Sequence, residues 1–108
     1  MGYMLHHAII ITGTNIDHLG IVRTFAINKG NHCSETVKGT INDQFSFFVA
    51  PDGSKEGWNE SDEADLSRKY LKDFLDNNLN LYVNAIEIQF AGDNHDDDKI
   101  TWVIKKRD

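Results

Sequence analysis

Cysteine occurs once, at Cys33, which excludes a disulfide within the chain and a zinc centre built from thiolates, and fits a reducing cytosol. Proline is also single, Pro51, and the eight glycines are scattered, so no stretch has the composition of a linker or a disordered segment. The longest unbroken apolar run, 8–11, falls far short of the roughly 20 residues that span a bilayer. The N-terminus also lacks a basic region followed by a long apolar one. A cytoplasmic protein without a membrane partner is the expectation. Basic residues are scarce beside acidic ones, 11 against 17, giving a formal net charge of −6. Binding to duplex nucleic acid draws on clustered Lys and Arg that release counterions from phosphates, so a duplex partner is disfavoured. The phosphate-loop pattern Gly-x-x-x-x-Gly-Lys-Ser/Thr is absent, as is any motif that fixes a reaction. The chain therefore reads as a non-enzyme, with no cofactor or metal assigned.

What is present is a hydrophobic share of 40% over 108 residues, enough for one packed core and a single domain over 1–108. Residues 5–12 are β-branched and apolar on both faces, as in a strand that is central in a sheet or covered on both sides. Thr14 with Asp17 resembles a capping box, and Ile16, Leu19, Val22, Arg23 and Ala26 continue at helical spacing to Gly30. A hairpin follows: a weak first arm within 32–41, Asn42-Asp43 as turn, and 45–50 as the second arm. Ser61 is placed to cap a second helix with Asp62, Glu63 and Asp65 in its first turn. Its apolar stripe is Ala64, Ser67, Leu71, Phe74 and Leu75, with Arg68, Lys69, Lys72 and Asp73 expected in solvent. Two antiparallel strands close the chain, the first alternating Ile86, Ile88 and Phe90 with Glu87 and Gln89, the second carrying Ile100, Trp102 and Ile104. The acidic connection 92–98 is expected to be mobile. The order β-α-β-β-α-β-β predicts an α+β fold, two helices packed on one face of a mostly antiparallel sheet.

The charge is uneven, and that directs the search for a site. Acids gather at 56–65 and 93–98, whereas Lys105, Lys106 and Arg107 close the chain, so a small anion could still find a local basic group. The loop 51–58 joins a Pro-Asp-Gly turn to Ser54, Lys55, Gly57 and Trp58. Its glycines let backbone N–H groups approach a ligand, Ser54 offers a hydroxyl, Lys55 a cation, and Trp58 a face on which a base could stack. The plainer alternative makes Trp58 a lid folded onto the second helix. His6 and His7 are neighbours on a strand, so they point to opposite faces and cannot share one site; a hydrogen-bonded structural role suits them. Asp93, Asp96, Asp97 and Asp98 lack the template of a calcium loop and read as a solvated hairpin tip. Cys33 has only His32 beside it, too little for an activated nucleophile.

The segment 6–12, His-His-Ala-Ile-Ile-Ile-Thr, followed by 46–58, Ser-Phe-Phe-Val-Ala-Pro-Asp-Gly-Ser-Lys-Glu-Gly-Trp, and an acidic helix start, resembles a group of small bacteriophage proteins. The resemblance covers about half the chain. Phage proteins of this kind include anti-defence factors, some of which act as sponges for the cyclic-nucleotide signals of bacterial immunity. The resemblance implies a non-catalytic binder that sequesters a small anionic nucleotide, with Ser54, Lys55 and Trp58 as ligand contacts and Arg23 as a further one. In a domain this small the core leaves little interior for a cavity, so a pocket shared between subunits of a homo-oligomer is expected. The alternative is an interaction protein that docks on a host protein through its acidic surface, with Trp58 or Trp102 as anchor.

Overall fold

In a computed structural model the described residues are 3–78 and 80–105; the basic Lys106 and Arg107 lie outside them. Along the chain come β1 (His6–Gly13), α1 (Ile16–Asn28), β2 (Val37–Lys38), β3 (Phe45–Val49), α2 (Asn59–Asn77), β4 (Asn84–Phe90) and β5 (Lys99–Lys105). A single 3-10 turn, His95–Asp97, links the last two strands. The fold is α+β: a five-stranded antiparallel sheet in the order β2-β3-β1-β4-β5, with both helices on one face. β1 is central, which explains why its sequence is apolar on both sides. Its Ile9 and Ile11 point to the helices and meet Leu19, Val22 and Ala26 of α1, Leu71 and Leu75 of α2, and Phe47 and Val49 of β3. The helices meet each other through Phe25 and Phe74, whose rings stack with centroids 3.9 Å apart.

Helix starts differ from the sequence reading. Asn15, one residue after the expected Thr14, caps α1: its Oδ1 accepts from the backbone N–H of Asp17 at 3.0 Å and of His18 at 3.1 Å. α2 begins at Asn59, two residues before the expected cap Ser61, because the turn closed by Trp58 N–H on the Lys55 carbonyl runs straight into the helix. Ser61 is buried in that first turn and donates instead to Glu56 Oε2 at 3.0 Å. The hairpin turns through Asn42 and Asp43, both in the left-handed region, and its first arm is the two residues of β2. Residues upstream of β2 extend the pairing, with Ser34 N–H bonded to the Phe48 carbonyl and Ala50 N–H to that of His32.

The largest correction concerns the charged residues of α2 that meet β4. Its apolar residues Ile86, Ile88 and Phe90 point away from the helices, whereas Glu87 is only 3% exposed and faces α2. Arg68, expected in solvent, is buried and donates from Nε to Glu87 Oε2 at 3.2 Å, while also pairing with Asp65. Lys72, also expected in solvent, is half-buried and donates to Glu87 Oε1 at 2.9 Å; Thr101 Oγ1 lies 2.7 Å from the same oxygen. Burial by itself pushes the Glu87 carboxyl up, but the hydrogen bonds from Lys72 and Thr101 and the charges of Lys72 and Arg68 outweigh it and hold the group below its usual range. Lys69 and Asp73 do face water, paired at 2.8 Å.

On β5 a bulge opposite Glu87/Ile88 breaks the expected alternation: Trp102 and Ile104 pack on the core, while Ile100 lies on the other face. The connection read as mobile is wound into the 3-10 turn by reciprocal bonds between Asn94 and Asp97, and Gln89 Nε2 donates to the Asp97 carbonyl at 2.9 Å.

Candidate functional site: the Trp58 cleft

The loop between β3 and α2 is built by local chemistry. Asp52 folds back on it, with Ser54 Oγ 2.9 Å and 2.8 Å from the two carboxylate oxygens and Ser54 N–H 3.3 Å from one of them. Gly53 and Gly57 sit at φ +84° and +91°, the left-handed region that glycine enters without a side-chain clash. The back of the loop is pinned to the start of the chain: Glu56 N–H bonds the Tyr3 carbonyl at 2.9 Å, and Met4 pairs with Lys55. Glu56 is clamped on both sides, by Ser61 Oγ and by His7 Nε2 at 3.4 Å. His7 is thus a partner of the loop, while His6 on the opposite face tilts against the Phe90 ring at 5.5 Å. The loop is a braced platform.

In front of it lies a cleft of about 550 Å³, bounded by the loop, the first turns of α2 and the residues that end α1. That volume is in the range of small-ligand sites. Behind the lining residues Gly30 and His32, Asn31 is a buried amide whose Nδ2 donates to the Ala26 carbonyl at 3.1 Å and the Ser67 carbonyl at 3.0 Å, linking the end of α1 to α2. Trp58 stands in the wall with 48% of its surface exposed, and it is absent from the core cluster, so it is no lid packed into the interior.

The charge of the wall is negative. Asp52, Glu60 and Glu63 line the cleft together with His32, and neither Lys nor Arg does. Among the described residues, Glu60 and Glu63 make no ion pair. Their position at the start of α2 suits the helix dipole, which favours acids there.

Of the four residues singled out from sequence, Ser54 and Trp58 line the cleft. Lys55 is outside its wall but close by, with Nζ 6.0 Å from the Trp58 ring centre, at the limit of a cation–π contact. Arg23 serves elsewhere: its Nε donates to the Ser34 carbonyl at 2.9 Å, and its guanidinium lies 3.8 Å from Glu35. Burial pushes the neighbouring Cys33 thiol up, against a smaller pull from Arg23, the reverse of what an activated thiolate needs. Trp102, the other candidate anchor, is packed on the core. Glu60, Glu63 and Ser67 were given no ligand role in the sequence reading, although their mutual spacings of three and four residues put them on one helix face.

Among the described residues no three His, Cys, Asp or Glu side chains gather to hold a metal ion, and no helix is long and apolar enough to cross a membrane. Compared with known proteins, the chain matches no protein-family model, no curated protein and no solved structure.

Proposed function

We propose that the chain is a non-catalytic interaction protein that takes a cationic group of a partner protein, a lysine or arginine side chain from an exposed basic segment, into the Trp58 cleft. The observation that carries this reading is a half-exposed indole in a wall that holds three carboxylates and no Lys or Arg. A cation over an indole face gains about 0.5–2 kcal/mol, depending on how far it is desolvated. Each exposed carboxylate adds about 0.2–1 kcal/mol. These terms fall short of the roughly 8 kcal/mol of micromolar affinity, so the partner must bury further surface around the cleft.

A second reading, sequestration of a small anionic nucleotide, draws on the Lys55–Trp58 pair and on the phage resemblance of 46–58. In it the base stacks on Trp58 and Lys55 meets a phosphate at the rim, against the repulsion of Asp52, Glu60 and Glu63.

The two readings predict opposite signs for one experiment. Neutralising the wall with Glu60→Gln and Glu63→Gln weakens binding of a Lys/Arg-rich peptide and strengthens that of a nucleotide. Calorimetric titration of the wild type and the double variant with oligo-arginine, with acetylated oligo-lysine and with a panel of linear and cyclic nucleotides reads this directly. Oligo-arginine binding that falls in the variant and at higher salt supports docking. A nucleotide that binds while oligo-arginine does not overturns it.

A further inference from the structure

We propose that a second copy of this chain packs face to face on the sheet surface opposite the helices. Across four strands that surface carries one row of neighbours, Phe48, Ile10, Ile86 and Val103, and in the next row Ile88 beside Ile100. Among the described residues no helix lies on it. Ile10 is 42% exposed, Phe48 43%, Val103 46%, Ile100 59% and Val37, at the β2 edge, 64%.

The register of β4 makes this surface more than leftover hydrophobicity. Side chains alternate along a strand, so a one-residue slip would send Ile86, Ile88 and Phe90 into the core and Glu87 and Gln89 to water. The chain holds the opposite register. It buries Glu87, surrounds it with Arg68, Lys72 and Thr101, and turns three large apolar side chains outward. Full burial of each such side chain is worth about 1.5–3 kcal/mol. An antiparallel sheet left open to solvent carries polar residues on that side, whereas among the described strand residues this one carries them at its ends, in Thr12, Ser46, Asn84 and Lys105 at one and His6 at the other.

Area and charge select the occupant. Side chains of this size expose roughly 150–200 Å² each when free, so the residues above offer on the order of 500 Å² of apolar surface. A standard interface takes about 800 Å² from each partner and is about 65% apolar between identical subunits, which is the same quantity. The acids at 56–65 and 93–98 lie outside these two rows, so two chains of net charge −6 can meet here without opposing carboxylates. Among the described residues Lys105 is the one Lys or Arg in the register at the border of this face, which gives little purchase on an anionic lipid surface. A two-fold arrangement also supplies both halves of a fit: grooves of about 490 and 350 Å³ flank Ile10, and Phe48 and Ile100 project from the same face.

The test is mass in solution. Light scattering after size exclusion gives twice the chain mass of 12.3 kDa for the wild type, and the single-chain mass for Ile100→Lys/Val103→Lys with an unchanged far-UV circular dichroism spectrum. Should that variant misfold, methyl NMR of the wild type decides: the Ile10, Ile88 and Ile100 signals move with chain concentration while those of Ile21 and Ile27 on α1 stay fixed. A wild type that remains single up to millimolar concentration overturns the proposal. So does a dimer that survives in the folded variant, or one whose formation moves Ile21 and Ile27 instead. A single chain that sediments with phosphatidylcholine vesicles gives the face to lipid and overturns it as well.

Discussion

Glu87→Gln measures what charge contributes to the layer between α2 and β4. Glutamine keeps the size of the side chain and one carbonyl acceptor, so the loss is the anion and not a cavity. Arg68, 6% exposed, then retains only Asp65 as counter-charge, and Lys72 loses its partner at 2.9 Å. Removing one member of a buried ion pair costs about 3–5 kcal/mol, and because Lys72 can turn toward water the lower end, about 3 kcal/mol, applies. In a domain of this size each kcal/mol moves the melting temperature by about 4–8 °C, so the variant should melt roughly 12–24 °C below the wild type near neutral pH. The pH dependence has a definite sign. The folded carboxyl sits below its usual range, so its contribution is full above the unfolded value and disappears as the pH falls through the folded one. The gap between variant and wild type must therefore narrow on acidification. Thermal unfolding followed by circular dichroism at stepped pH reads both effects. A variant that melts within about 3 °C of wild type at neutral pH, or a gap that widens in acid, refutes the claim that charge holds this layer.

Asn31→Leu removes the two hydrogen bonds that its amide donates to the Ala26 and Ser67 carbonyls, at about 0.5–1.5 kcal/mol each, so it should cost about 1–3 kcal/mol in urea unfolding and loosen the tie between the end of α1 and α2. Gly92→Ala drives a Cβ into the Asp97 carboxylate that caps the 3-10 turn, so hydrogen exchange should speed up at Asn94 and Asp97 while β1 stays protected. Trp58→Ala should shift stability by less than about 1 kcal/mol, since the ring is half exposed and lies near Lys55 only at cation–π distance, yet weaken peptide binding to the cleft about 2- to 30-fold.

The elements that obey one period were legible from sequence. Leu71 and Leu75 lie on one stripe of α2, β1 is uniformly β-branched, and Asn42-Asp43 adopts the left-handed geometry that a hairpin turn needs. Their sum gave the α+β arrangement. What stayed hidden depends on partners distant in sequence. Arg68 and Lys72 read as solvent-facing because charges usually are, and only the approach of Glu87, 19 and 15 residues on, takes them inward. The inward face of β4 could not be chosen from alternation alone, since Ile86 and Glu87 fix two faces but not which one meets the helices. The β5 bulge adds a residue that no periodic template anticipates, and it sends Ile100 and Trp102 to different sides. In the cleft, the loop residues Ser54 and Trp58 were visible as turn chemistry beside an aromatic. The electrostatic sign was not, because Glu63 already had a sufficient explanation in the helix dipole and Glu60 lay before the expected cap Ser61.

That explanation also separates what the fold needs from what it does not. Acids near the start of α2 suit the helix dipole with or without a guest, so Glu60 and Glu63 alone would not mark a binding surface. Trp58 has no such role: it occupies the cap position without making a side-chain cap bond, stays out of the core, and leaves half of a large apolar ring in water. The outward row of Phe48, Ile10, Ile86 and Val103 departs from the folding rules in the same way at β4, since burial of Ile86 and Ile88 would have been available by another register of that strand. A chain whose turns, stripes and buried polar groups are otherwise consistent departs from consistency where another molecule completes the burial. The two departures lie apart, one at the loop before α2 and one on the far side of the sheet. Dimerisation through the sheet would therefore leave both Trp58 clefts open, and two copies could hold a basic partner segment at two points, so that weak single-site contacts combine into useful affinity.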